Sequence, residues 1–170
     1  DDSFSVYTST DPEAALERIE GEEIDCVVSD YEMPDINGLE LLERVREFDP
    51  DVPFILFTGR GSEEIASKAI SAGVTDYLQK ETGTEQYTVL ANRIENAVEQ
   101  TRSQQALAES EKRISRFIEQ SPLGTIEYDE SFTIVRVNEA ASEITGYDAE
   151  ELLGGTWMPF VPEDLPRTVA

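Results

Sequence analysis

Short apolar runs alternate with stretches of helical periodicity through the first half of the chain. Phe4 to Thr8 alternate weakly in polarity and predict a short strand. Thr10, Asp11 and Pro12 then supply a capping residue with proline just inside a helix that reaches about Ile19, where Gly21 ends it. Ile24 to Ser29 is the next predicted strand. Its Cys26, Val27 and Val28 form a continuous apolar run of the kind that is buried on both faces of a parallel sheet. Gly38 precedes a helix with Leu39, Leu42, Val45 and Phe48 at helical spacing, and Asp49, Pro50, Asp51 and Pro53 turn the chain into a third strand, Phe54 to Phe57. Ser62, Glu63 and Glu64 open a helix carrying Ile65, Ala66, Ala69 and Ile70 on one face, with Gly73 as its left-handed cap. The fourth strand, Asp76 to Gln79, stops at Lys80.

Strands and helices alternating at this spacing predict βαβ units and therefore an α/β fold, a doubly wound parallel sheet with right-handed crossovers. Parallel strands end on one rim, and ligands collect in the crevice outside those carboxyl ends. Asp30, Thr58 and Lys80 stand at three consecutive strand ends. Each has a plain structural explanation alone, as a loop acid, a turn hydroxyl and a surface lysine. Together they fit acyl phosphate chemistry, with Asp30 as nucleophile, Lys80 as a cation for phosphoryl oxygens and Thr58 as a hydroxyl donor. A divalent cation such as Mg²⁺ would offset the repulsion between a carboxylate and an incoming phosphoryl group.

After Thr84 the pattern changes. No Gly or Pro interrupts residues 85–119, so one helix is predicted there, about 50 Å long at ~1.5 Å per residue. Tyr87, Leu90, Ile94, Ala97 and Thr101 fit one heptad face, and Leu107, Ile114 and Phe117 carry a second in a different phase. The first half is expected to pack on the sheet and the second to be a helical linker, either isolated or paired with a second copy as a homodimer. Beyond Ser121 and Pro122, Gly124 to Tyr128 and Phe132 to Val137 predict a hairpin around Asp129, Glu130 and Ser131. Asn138 caps a short helix with Ala141 and Ile144, Gly146 ends it, and Asp148 opens another with Leu152 and Leu153.

Composition narrows the class. Thirty-seven acids against 13 bases give a formal net charge of -24, with no basic patch, which disfavours nucleic acid as a partner. Acids are spread along helical stretches, as on a solvated acidic surface. The three lysines, Lys68, Lys80 and Lys112, are few enough that the composition resembles that of haloarchaeal proteins. Cys26, the one cysteine, reads as a small buried hydrophobe and not a reactive thiol. No apolar run approaches the ~20 residues that span a bilayer, and no signal peptide is visible, so the expectation is a cytoplasmic protein without a membrane partner.

The residues Asp30, Met33, Pro34, Asn37 and Gly38, then Thr58 with Gly59, then Lys80 with Tyr77 before it, resemble the receiver domain of two-component response regulators. That resemblance implies a flavodoxin-like fold in which Asp30 accepts a phosphoryl group from a histidine kinase. It also implies a domain that catalyses its own phosphotransfer and dephosphorylation, with Mg²⁺ held by Asp30 and the Glu32 carbonyl. Thr58 and Tyr77 would report the phosphorylated state by moving inward. Two departures stand against the family pattern. Glu81 follows Lys80 where proline is usual. The first family strand and helix, with their acidic pair for the metal, do not precede Phe4, and Asp1 and Asp2 are misplaced to substitute for that pair. The chain thus reads as a partial receiver, destabilised or abnormally paired, in which Glu32 and Arg60 are expected to form an ion pair across the site.

The stretch from Phe117 to Gly154 is similar to the first half of a PAS sensor domain, an α+β fold. The expected organisation is therefore a receiver over 1–84, its last helix and a signalling linker over 85–119, and a partial PAS domain over 120–170. The absence of histidine argues against ordinary His-ligated haem, and Thr156 and Trp157, with no cysteine nearby, against flavin adduct chemistry. Trp157 and Phe160 are expected to serve packing. The function these features imply is phosphorelay signalling from Asp30 through the helix to the PAS domain. Two alternatives remain: a non-phosphorylated receiver and PAS scaffold, and an aspartate-dependent phosphohydrolase, disfavoured because Glu32 replaces that class's second aspartate.

Overall fold

Local caps set most of the element boundaries in the computed structural model, which describes residues 4–59 and 63–156. Asp11 accepts the Glu13 amide at 3.0 Å and starts α1, Pro12–Gly21, with proline in its first turn. Asn37 starts α2, Gly38–Phe48, through a capping box: its side chain accepts from Leu39 and Glu40, while Glu40 accepts the Asn37 amide at 2.7 Å. Helix α3 covers Glu63–Ala72 and turns at Gly73, whose φ of +82° is the left-handed conformation that favours glycine. Helix α4 runs unbroken over Glu85–Glu119.

Strands β1 (Val27–Ser29), β2 (Phe54–Thr58) and β3 (Asp76–Gln79) form one parallel sheet in that order. Val27 pairs with Phe54, and Thr58 with Gln79. Every residue of β2 is buried, as expected of a central strand flanked on both edges. The core joins β1 and β2 to Leu16 of α1, to Leu41, Leu42 and Val45 of α2, to Val52, and to Ala69 of α3.

Several sequence expectations change. Phe4 to Thr8 is not a strand: no ladder partner is present for it among the described residues, and Phe4, Val6 and Tyr7 are exposed. Tyr7 instead receives the Arg18 guanidinium over its ring at 3.7 Å, a local contact that needs no sheet. Strand β1 is three residues long and is an edge, so Val28 is 40% exposed and not buried on both faces, and Cys26 lies ahead of the strand, half-buried. On the helices, Leu41 takes the core position expected of Leu39, while Phe48 and Ile70 are exposed.

The chain divides into two compact units, Asp1–Gln105 and Ala106–Ala170. In the first, the opening half of α4 buries Ala97 and forms ion pairs from Arg93 to Asp76 of β3 at 3.3 Å and from Arg102 to Asp25, ahead of β1, at 2.6 Å. In the second, Leu107, Ile114 and Phe117 of α4 are exposed. Strands β4 (Ile126–Tyr128) and β5 (Ile134–Val137) make the expected antiparallel hairpin, its turn closed by Asp129 accepting the Ser131 and Thr133 amides. Helices α5 (Glu139–Thr145) and α6 (Ala149–Leu152) begin at Asn138 and Asp148 as predicted, and α5 ends on left-handed Gly146.

Candidate functional site

Asp30 is the first residue past β1, and the loop that follows is shaped to present it. Ser29, buried at the strand end, donates its hydroxyl to the Asp30 carbonyl at 2.8 Å and to the Met33 sulfur at 3.5 Å. Asp35 adopts a positive φ of 69°, and the Gly38 amide returns to the Tyr31 carbonyl at 2.9 Å, so the loop folds back onto its own start. Gly38 is required by proximity: a Cβ there would lie 2.3 Å from the Asp30 carbonyl oxygen and 2.6 Å from Leu56. The motif glycine therefore lets α2 begin against the backbone of Asp30.

Asp30, Thr58 and Lys80 come together. Lys80 Nζ donates to Asp30 Oδ2 at 2.6 Å, a short charge-assisted bond between groups 40% and 33% exposed. Thr58, fully buried at the end of β2, also hydrogen-bonds the Asp30 carboxylate, and the Glu32 amide donates to Asp30 Oδ1 at 3.3 Å. Burial raises the Asp30 pKa, but the hydrogen bonds from Lys80 and Thr58 and the Lys80 charge outweigh it and hold the carboxyl below its ordinary value. The result is an ionised carboxylate at the sheet rim, with a cation and a hydroxyl already beside it. The register decides this meeting: Thr58 pairs with Gln79, and the Lys80 amide donates to the Thr58 carbonyl at 2.8 Å.

Tyr77 lies half-buried on β3, paired with Leu56, and its hydroxyl is buried without a hydrogen-bond partner among the described residues. Arg60, the other half of the expected pair with Glu32, lies outside the described residues, as do Asp1, Asp2, Ser62, Trp157 and Phe160. Burial, then the Asp25 charge, push the Cys26 thiol up to about 12, which disfavours the reactive thiolate form.

A Mg²⁺ site needs about six oxygen donors in near-octahedral geometry. Asp30 and the Glu32 main chain can supply two, and among the described residues no group of three or more acidic or thiol side chains converges. These residues alone do not make the complete site.

Sequence reasoning gave Asn138 only a capping role, and the second unit depends on it for more. The side chain is 1% exposed. Its Nδ2 donates to the carbonyls of Ile118 and Leu123, both at 2.9 Å, and its Oδ1 accepts the Thr125 and Ala141 amides. One amide thus joins the end of α4, the entry to β4 and the start of α5. A cap residue between a strand and a helix was the only signal in the sequence.

Comparison with known proteins bears on the family and the fold. Residues 1–95 match the response regulator receiver domain and residues 112–169 match a PAS domain. The bacterioopsin transcriptional activator of Halobacterium salinarum is 29% identical over 91% of this chain and 24% of its own length. The transcriptional regulatory protein FixJ of Bradyrhizobium diazoefficiens is 34% identical over 57% of this chain and 46% of its own. The chain thus spans less than half the length of either relative. Among solved structures, adenylate cyclase from Rhodopirellula baltica superposes with a TM-score of 0.56 at 22% identity, covering 63% of this chain and 81% of that one, a likeness of fold. Among the described residues no helix is long and apolar enough to cross a membrane. From residues 1–95 the chain belongs to the response regulator receiver domain family of two-component signalling, and a PAS domain follows its receiver.

Proposed function

We propose that Asp30 is the phosphoacceptor of a phosphorelay protein and that its donor is a histidine kinase, as for receiver domains in general. The observation that carries this reading is the ionised Asp30 carboxylate held 2.6 Å from Lys80, with the buried Thr58 hydroxyl on the same group. In the reaction, one carboxylate oxygen attacks phosphorus, and the bond from phosphorus to the donor nitrogen breaks, leaving its electron pair on the donor. Lys80 follows the negative charge onto the phosphoryl oxygens, and Thr58 donates to one of them. Tyr77, whose buried hydroxyl has no hydrogen-bond partner among the described residues, is the readout group that moves with Thr58. Mg²⁺ supports phosphorylation in this family. Asp30 and Glu32 would contribute two of its ligands, and the ion would offset the repulsion between the carboxylate and the incoming phosphoryl group.

We assign residues 1–84 to the receiver, 85–119 to its last helix and a signalling linker, and 120–170 to the PAS half. Leu107, Ile114 and Phe117, exposed at heptad spacing, favour pairing of two linkers in a homodimer. The acidic surface fits a salt-rich cytoplasm.

The competing reading, a non-phosphorylated scaffold, draws support from the absence, among the described residues, of a group of three or more acidic side chains that could hold the metal. Acetyl phosphate with and without Mg²⁺, followed by intact mass, separates the two. Phosphorylation predicts one hydroxylamine-labile phosphoryl adduct that Asp30→Asn abolishes. No adduct on the wild-type chain favours the scaffold.

A further inference from the structure

Lys80 is held at two points, and the residue after it at a third. Its ammonium meets Asp30 at 2.6 Å, its amide donates to Thr58, and the amide of the next residue, Glu81, donates to Gln86 Oε1 at 3.0 Å. Gln86 belongs to the first turn of α4, and its Nε2 donates to the Gly83 carbonyl at 2.7 Å. One side chain therefore clamps both limbs of the loop between β3 and α4. Gly83 closes that loop at a φ of +116°, a conformation open to glycine. Glu81 makes the clamp feasible because, unlike proline, it has an amide hydrogen to donate. A second contact runs beside the first. Lys80 Nζ lies 5.5 Å from the Phe57 ring centroid, and Phe57 packs edge-to-face on Tyr87, the residue after Gln86, at 6.2 Å.

We propose that Gln86 and Tyr87 are positioning residues that carry the state of the Asp30–Lys80 pair into the first turn of α4, by a hydrogen bond on one side and a ring contact on the other. The proposal rests on the phosphoacceptor reading for its physiological trigger, while the coupling itself follows from geometry. When Asp30 becomes an acyl phosphate, its negative charge moves outward onto the phosphoryl oxygens and the Lys80 ammonium moves with it. That displacement changes the cation's approach to Phe57. It also pulls on the peptide joining Lys80 to Glu81, and thus on the bond to Gln86.

Hydrogen exchange of residues 81–90, measured in the intact protein, tests the coupling. Two perturbations are compared: acetyl phosphate treatment, and Asp30→Asn, which removes the charged partner of Lys80 without adding a phosphoryl group. Each is expected to raise exchange in this segment about fivefold, the scale of one lost hydrogen bond. In Gln86→Ala and in Tyr87→Leu, basal exchange rises, but the further response to Asp30→Asn shrinks toward zero. A Gln86 that merely stabilised the helix would raise exchange in both states and leave the difference intact, and that result overturns the proposal. Intact mass keeps the two readings apart. Absence of a wild-type adduct defeats the phosphoacceptor reading, while the Asp30→Asn response still decides the coupling.

Discussion

The Asp30 carboxyl is balanced between opposing influences. Partial burial penalises its charge, and Lys80, Thr58 and the Glu32 amide restore it with a surplus. Because the folded-state pKa lies below the ordinary value of 3.8, Asp30 adds stability at pH values above 3.8, and that contribution is lost as pH falls through the lower folded-state value. Subtracting the stability of Asp30→Asn from that of the wild type isolates this group from the many other acids. In urea titrations the difference should be level near neutrality and change only below 3.8. A change centred near neutral pH would show that another group governs the pair. The candidates at this scale were legible because each stands at or just past the end of a predicted strand. Their distances were not legible, since Asp30 and Lys80 are fifty residues apart in sequence. The burial of the Tyr77 hydroxyl and the several bonds of Asn138 depend likewise on groups that no local pattern names.

At the scale of elements, α2 begins where it does for two reasons. Asn37 and Glu40 cap each other reciprocally, and Gly38 leaves room for the Asp30 carbonyl. Alanine at position 38 must displace that backbone oxygen, which cannot yield as a flexible side chain would. Gly38→Ala is expected to cost about 2 kcal/mol in chemical denaturation and to slow acyl phosphate formation by moving Asp30. Unaltered stability and rate would mean that α2 shifts without strain. Removing the cap alone, by Asn37→Ala, should cost about 1 kcal/mol and leave the rate near wild type, which separates helix stability from placement of the carboxylate. Caps and glycine turns were readable in advance because they satisfy donors within a few residues. Strand lengths and exposed faces were less so: β1 is shorter than the strand predicted over Ile24 to Ser29, and Phe4 to Thr8 forms no ladder among the described residues.

For the whole molecule the dominant quantity is a formal net charge of -24. Ion pairs such as Arg102 with Asp25 and Lys68 with Glu64 neutralise only a few of the 37 acids, so self-repulsion opposes the folded state at low salt. Raising KCl from about 0.1 M to about 2 M shortens the screening length from about 10 Å to under 3 Å and should raise Tm by several degrees. A flat or falling Tm would remove the argument for a halophilic surface. The sequence by itself determined the alternation of helix and strand, the caps, the acidic surface and the strand-end placement of Asp30, Thr58 and Lys80. These follow from periodicity, from charge and from hydrogen bonds between near neighbours. Only the tertiary structure decided that Val28 and Ile70 face outward, that Lys80 reaches Asp30, and that Gln86 and Tyr87 of α4 close on the loop behind that lysine. Burial and long-range pairing depend on which distant segment fills the space beside a residue, and that is settled when the strands align and the helices pack.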